Sequence, residues 1–253
     1  MNLFDLTGRR ALVTGAGRGL GLALAEALAG AGAALVINGR GREALEAAVG
    51  PLRARGVAVE TAAFDVTDGR AVAEGVERIE RELGPVDILV NNAGLMHRAP
   101  LEAFPEEAWH RLIGTNLTGV FLVAQAVARH MIPRGRGKII NVCSVQSELA
   151  RPSVAAYGAT KGAVKMLTKG MCADWARHGL QVNGIGPGYY ATELTRALVE
   201  DEAFSAWLRA RTPAGRWGRA EDLAGAAIFL ASAASDFVNG HVLYVDGGLT
   251  STV

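Results

Sequence analysis

Short runs of apolar, often β-branched residues alternate along the chain with longer segments whose apolar positions recur at helical spacing. "ALVTG" (11–15), "AALVING" (33–39), "VAVETAAFDV" (57–66), "VDILVNNAG" (86–94), "KIINVCS" (138–144), "LQVNGIGPG" (180–188) and "HVLYVDGG" (241–248) read as strands. Segments 21–32, 42–56, 70–83, 105–131, 155–179, 193–211 and 221–232 read as helices, several closed by glycine. Near-continuous apolar strands separated by helices predict a parallel sheet of about seven strands covered on both faces. Right-handed crossovers make that sheet doubly wound, an α/β fold. No linker, internal repeat or low-complexity stretch breaks the pattern, so one domain over 1–253 is expected.

Composition removes alternatives. The chain has 253 residues, 50% hydrophobic and 20% charged, with a net charge of +1. There is no basic excess for nucleic acid and no charged tail. "MNLFDLTGRR" lacks the apolar run of a signal peptide, and the apolar stretches read as too short to span a bilayer. No membrane partner is therefore expected. Two cysteines, Cys143 and Cys172, argue against a disulfide framework and for a cytoplasmic protein. The five histidines lack H-E-x-x-H or similar spacing, so no metal is expected.

In a doubly wound sheet, ligands bind at the carboxyl ends of the strands. The first such turn is "TGAGRGLG" (14–21). Its glycines let backbone approach a pyrophosphate, and the following helix offers free N–H groups at its N-terminus. The spacing is not a simple G-x-G-x-x-G, since Leu20 stands three residues after Gly17. A Rossmann-type dinucleotide site is one reading; a tight turn needing positive φ is the other. The place of a ribose-reading carboxylate, at the end of the second strand, holds Asn38, Gly39 and Arg40. Arg40, with Arg18 from the glycine-rich turn, suits a 2′-phosphate and so NADP(H). Both could equally be solvated surface charges.

"YGATK" (157–161) places a phenol and an ammonium four residues apart on one helix face. The pair is either an acid/base device or two side chains sharing a helix. Lowering a phenol by about three pKa units needs roughly 4 kcal/mol. One charge at about 4 Å, in an effective dielectric near ~20, supplies on the order of 4 kcal/mol. Lys161 could therefore activate Tyr157 near neutral pH.

"TGAGRGLG", "NNAG" (91–94), Asn116, Ser144, "YGATK" and "PG" (187–188) together resemble the short-chain dehydrogenases/reductases over essentially the whole chain. The resemblance implies catalytic residues Asn116, Ser144, Tyr157 and Lys161. Tyr157 would be the general acid/base, and Ser144 the partner of the reacting oxygen. Lys161 would hold the nicotinamide ribose, and Asn116 a relay water. It implies cofactor contacts from Gly15, Arg18, Gly19, Leu20, Gly21 and Arg40. Asp65 and Val66 would border the adenine, with Asn92, Ala93 and Gly94 lining the cleft. Tyr157, Lys161, Pro187, Gly188 and Thr192 would lie at the nicotinamide end. A homo-oligomer, most often a tetramer, is also implied. Leu20 departs mildly from the isoleucine frequent there.

The mouth of the site combines charges and hydrogen-bonding groups. Arg98 or Arg151 suits a carboxylate; Gln146, Ser147, Glu148 and a tyrosine suit hydroxyls; solvation alone would explain them equally. Segments 128–153, 186–208, 211–218 and 235–248 resemble a subgroup of the family acting on sugar acids. That implies substrate contacts from Arg98, Ser144, Gln146, Arg151, Tyr157 and Tyr190, beneath a lid at about 189–218. Tyr190 stands where phenylalanine is frequent, and its hydroxyl is expected to add a contact. Cys143 is expected to be a buried hydrophobe. The face bearing Val164, Met166, Leu167 and Trp175 reads as core or subunit interface. Packing explains Trp207 and Trp217 as well as substrate stacking does. Two alternatives remain. One is a reductase of another carbonyl, such as a 3-oxoacyl-carrier-protein or a different sugar acid. The other is a dinucleotide-binding regulator without chemistry, against which the intact catalytic set argues.

Overall fold

The computed structural model describes residues 2–253. Seven parallel strands form one sheet in the order β3-β2-β1-β4-β5-β6-β7. They are β1 Arg10–Val13, β2 Ala34–Gly39, β3 Val59–Ala63, β4 Ile88–Asn91, β5 Gly137–Val142, β6 Leu180–Pro187 and β7 Val242–Val245. The principal helices are α1 Gly19–Gly30, α2 Arg42–Ala54, α3 Gly69–Glu82, α4 Glu106–Ile113, α5 Gly119–Arg134 and α6 Ala155–Trp175. They continue as α7 Arg196–Val199, α8 Glu202–Arg211 and α9 Ala224–Ala231.

Strand alternation divides the core. On β1, Ala11 and Val13 face one side, with Leu24, Leu28, Leu45, Val49 and Leu230 of α1, α2 and α9. Leu12 faces the other, with Val72, Val76, Val127 and Met131 of α3 and α5. Burial on both faces explains why the strands read as continuous apolar runs.

Three expectations change. The long helix over 105–131 is interrupted by a π-helical turn, Gly114–Thr118. The helix over 193–211 breaks into a 3-10 turn, α7 and α8, because Asp201 caps α8 and accepts the Phe204 N–H at 3.0 Å. The stretch Glu106–Arg134, 29 residues, is in fact long and apolar enough to cross a membrane, contrary to the reading of the sequence. Half of its most apolar window is buried in this fold, where α5 packs beneath the sheet, so its hydrophobicity is that of a core helix.

The chain runs from β1 outward to β3, then returns to the opposite side of β1 as β4. This reversal opens a crevice between the ends of β1 and β4. Beyond β6, Tyr190 and Gly218 form a parallel bridge that closes the base of an excursion containing α7 and α8.

Candidate active site

A cavity of about 700 Å³ lies over the carboxyl ends of the strands. It is lined by the residues the family resemblance assigned to cofactor and substrate, while Asn116 lies behind it, fully buried, and Ser147 and Glu148 lie outside it.

At one end is the turn between β1 and α1. Gly15 has φ 62°, and a Cβ there would lie 2.7 Å from the Ala93 Cα. A Cβ on Gly21 would collide with the Asn92 amide. The Thr14 hydroxyl accepts the Asn92 and Ala93 N–H groups at 3.0 and 3.1 Å. The Asn92 amide donates back to the carbonyls of Thr14 and Gly15 at 2.9 and 3.1 Å. "NNAG" thus fastens the glycine-rich turn. Gly19, at φ 59°, has no neighbour where a Cβ would stand, so the start of α1 stays open toward the cavity. Arg18 and Arg40 are exposed at its rim. The Arg18 guanidinium is 3.5 Å from Glu193, an exposed pair of small energetic weight. Asn38 is buried and donates to the carbonyls of Ala62 and Phe64 at 2.9 and 3.0 Å, which ties β2 to β3. A bare cradle with two cations and no carboxylate at the end of β2 fits a 2′-phosphorylated dinucleotide.

The centre is formed by the end of β5 and the first turns of α6. The Ser144 hydroxyl accepts the Gln146 N–H at 3.1 Å, which leaves its proton free to be donated. Lys161 is 5% exposed, and its ammonium donates to the Val142 carbonyl at 2.6 Å. It lies 5.7 Å from the centroid of the Tyr157 ring. Burial pushes the Tyr157 phenol up to about 12, against a downward pull from its hydrogen bond with Ser144. Burial pushes the Lys161 ammonium down to about 8. The expectation that Lys161 alone lowers the phenol is therefore corrected. The dry pocket favours the neutral form of both groups, and desolvation outweighs one ammonium engaged elsewhere.

Several supports escaped the sequence reading. Asn91 donates to the Asn141 side chain, whose amide donates to Thr168 on α6, each at 2.9 Å. This buried ladder sets α6 against β4 and β5. Asn116, on the π turn, donates to and accepts from the Leu95 backbone, both at 2.9 Å. It also donates to Thr160 at 3.3 Å. Its amide holds the cavity wall. Asparagines at strand ends were visible signals, but their pairing required the fold.

At the other end stand Arg98, Gln146, Arg151 and Tyr189. Tyr190 also lines the cavity, but the contact expected of its hydroxyl is corrected: the residue is 4% exposed, and that hydroxyl donates to the Val245 carbonyl at 2.8 Å. The neighbouring Tyr189 carries the ring that meets Phe204, Trp207 and Trp217. Ser147 donates to the Lys161 carbonyl at 2.9 Å, and Glu148 binds Lys165 and Tyr244. Neither of these two lines the cavity. Cys143 is buried, and burial pushes its thiol up to about 11. On α6, Val164 is core and Met166 is 67% exposed.

A family model described as enoyl-(acyl carrier protein) reductase matches residues 15–250. The chain is 64% identical to gluconate 5-dehydrogenase of Gluconobacter oxydans (strain 621H), over 98% of this chain and 97% of that protein. It is 54% identical to 5-keto-D-gluconate 5-reductase of Escherichia coli (strain K12), over 100% and 99%. The chain belongs to the short-chain dehydrogenase/reductase family. A member of this family, gluconate 5-dehydrogenase from Burkholderia cenocepacia J2315 in complex with NADP and tartrate, matches with a TM-score of 0.98 and 63% identity. That match covers 100% of this chain and 99% of the other.

One stability consequence follows for this short-chain dehydrogenase/reductase. Because burial lowers the Lys161 ammonium from 10.5 to about 8, the unfolded chain binds its proton more tightly than the fold does. Stability contributed by this group therefore rises with pH between those values. At pH 7 its burial costs about 3 kcal/mol, partly offset by roughly 1 kcal/mol from the Val142 hydrogen bond. Lys161→Met should raise the Tm of the cofactor-free protein by about 4–8 °C at pH 7. That gain should shrink as the pH approaches about 10. Calorimetry across this pH range checks it; a lower Tm at pH 7 would contradict the account.

Proposed function

We propose that the protein is an NADP(H)-dependent oxidoreductase that interconverts D-gluconate and 5-dehydro-D-gluconate. One observation carries the reading. A single cavity joins an open glycine-rich turn with two cations to Ser144, Tyr157 and Lys161, and ends at Arg98 and Arg151. The near-full-length likeness to gluconate 5-dehydrogenases supports the substrate.

When bound, NADP(H) supplies or accepts the hydride at C5 of the sugar acid. The backbone N–H groups at the start of α1 meet the pyrophosphate, and Arg18 and Arg40 meet the 2′-phosphate. Asp65 and Val66 border the adenine, and Asn92, Ala93 and Gly94 line the cleft. Lys161 holds the ribose hydroxyls. Pro187, Gly188 and Thr192 lie at the nicotinamide end. The Ser144 hydroxyl donates to the C5 oxygen. In reduction, Tyr157 hands its proton to that oxygen and recovers one through Lys161 and water. With the Asn116 amide engaged by Leu95, the π turn's backbone carbonyls are the groups left to hold that water. Segment 189–218 acts as the lid over the substrate.

The subunits work as a homo-oligomer, a tetramer by the family resemblance. Trp109, Phe121 and Met166 on the neighbouring α4, α5 and α6 are exposed and support such a contact. The free cysteines fit a cytoplasmic protein.

The first test is NADPH oxidation with 5-dehydro-D-gluconate, run beside 2-dehydro-D-gluconate, an acetoacetyl thioester and an NADH control. Activity confined to a carbonyl other than the 5-dehydro acid would sink the substrate. Tyr157→Phe should remove turnover and leave NADPH binding nearly intact; more than about a tenth of wild-type kcat would defeat the role of the phenol. Because burial favours the neutral phenol, reduction finds its acid ready at pH 7, whereas oxidation must first remove that proton. Oxidation kcat/KM should climb up to about tenfold per pH unit from pH 6 to 8, and a flat profile contradicts this.

Arg40→Asp places a carboxylate where a ribose 2′-hydroxyl would be read, so selectivity should move toward NADH. An unchanged NADPH/NADH ratio of kcat/KM refutes the phosphate contact.

Wild-type protein should sediment as an oligomer at assay concentration, and Phe121→Glu with Met166→Glu should shift it to smaller species. A wild-type monomer would overturn that part of the reading.

A further inference from the structure

We propose that Arg151 is a specificity-determining residue that selects a carboxylate and couples its recognition to the lid. The inference rests on the sugar-acid reading of the site and names how that site tells an acid from a neutral polyol.

Arg151 follows the Ser144 loop and lines the cavity beside Arg98. Its Nε is buried without a hydrogen-bond partner. Its guanidinium carbon lies 5.1 Å from the centroid of Phe204 and 6.0 Å from that of Tyr189. Both rings belong to the 189–218 segment, in an aromatic cluster with Trp207 and Trp217. Aromatic faces hold a guanidinium while leaving its N–H edge free for an anion.

The two arginines are held together against their repulsion. Burial and the charge of Arg151 both push Arg98 down. The loops carrying them are joined by the Ala99 N–H, which donates to the Ser153 carbonyl at 3.2 Å. Ser153 has φ 65°, a left-handed conformation that costs a non-glycine residue energy. The like charges held at the cavity mouth are offset by a bound anion. The Gln146 side-chain amide oxygen, Oε1, is buried and without a partner; the residue lines the same cavity, and this oxygen suits a substrate hydroxyl. A carboxylate seated on Arg151 thus binds a group that already rests against Phe204 and Tyr189, so recognition of the acid and the seating of segment 189–218 share one side chain.

The test uses the NADP-loaded protein in a Tyr157→Phe background, which does not oxidise D-gluconate during the titration, with D-gluconate, tartrate and the neutral polyol D-glucitol titrated by tryptophan fluorescence, since Trp207 and Trp217 belong to the cluster. Arg151→Met should weaken both acids by roughly 30-fold, about 2 kcal/mol at 1.4 kcal/mol per decade, and leave D-glucitol unchanged. With Tyr157 intact, it should raise KM for the keto acid far more than it lowers kcat. Arg151→Lys should restore part of the binding. Phe204→Leu, which keeps the charge and removes the seat, should weaken the acids about fivefold and shrink the fluorescence change. If Arg151→Met still prefers the acids over D-glucitol as the wild type does, the proposal is overturned. If the wild type binds tartrate through Arg151 but never turns over 5-dehydro-D-gluconate, the substrate reading fails and the role of Arg151 stands.

Discussion

Between β1 and β4 the chain reverses its direction across the sheet, and there two stretches of backbone must pass in contact. Gly15 and Gly21 are the positions where that contact leaves no room for a side chain. The Thr14 hydroxyl and the Asn92 amide then lock the two stretches by four reciprocal hydrogen bonds. Everything functional is arranged around this crossing. It holds the start of α1 open toward the cavity, puts the end of β2 beside it, and directs β5 and α6 to the same floor.

The reacting groups are set by a second constraint, the burial of α6. Lys161 is driven toward its neutral form and Tyr157 toward a neutral phenol by the same loss of water. A neutral phenol is a ready proton donor and a poor base. The phenol by itself therefore favours the protonated form that a reduction needs, and the positive charge of an oxidised nicotinamide would oppose that preference. The Asn91–Asn141–Thr168 ladder keeps this arrangement rigid, which a site working by proton transfer over hydrogen-bond distances requires.

Specificity and chemistry occupy opposite ends of one cavity. The glycine-rich turn is held by the Thr14 and Asn92 side chains on backbone groups at the ends of β1 and β4. The end bearing Arg98 and Arg151 is held by loops joined through Ala99 and Ser153 and by an aromatic cluster. Such a division lets the substrate end vary while the hydride-transfer end stays fixed, which is why family membership alone does not name a substrate.

The sequence by itself determined the alternation of strands and helices, the glycine-rich turn, the absent carboxylate beside Arg40 and the helical spacing of Tyr157 and Lys161. These are local: they depend on period, on φ at a turn, and on residues at most a few positions apart. Only the tertiary structure decided that Asn116 sits on a π turn, because 3.6-residue periodicity carries no mark of one inserted residue. It also decided between Tyr189 and Tyr190. Both line the cavity just beyond β6, but the Tyr190 hydroxyl is taken by the Val245 carbonyl of β7, 55 residues away, a partner no local pattern shows. The pKa of Tyr157 belongs here too. Spacing alone supplied the ammonium and its attraction, while the desolvation that outweighs it comes from every element packed around α6.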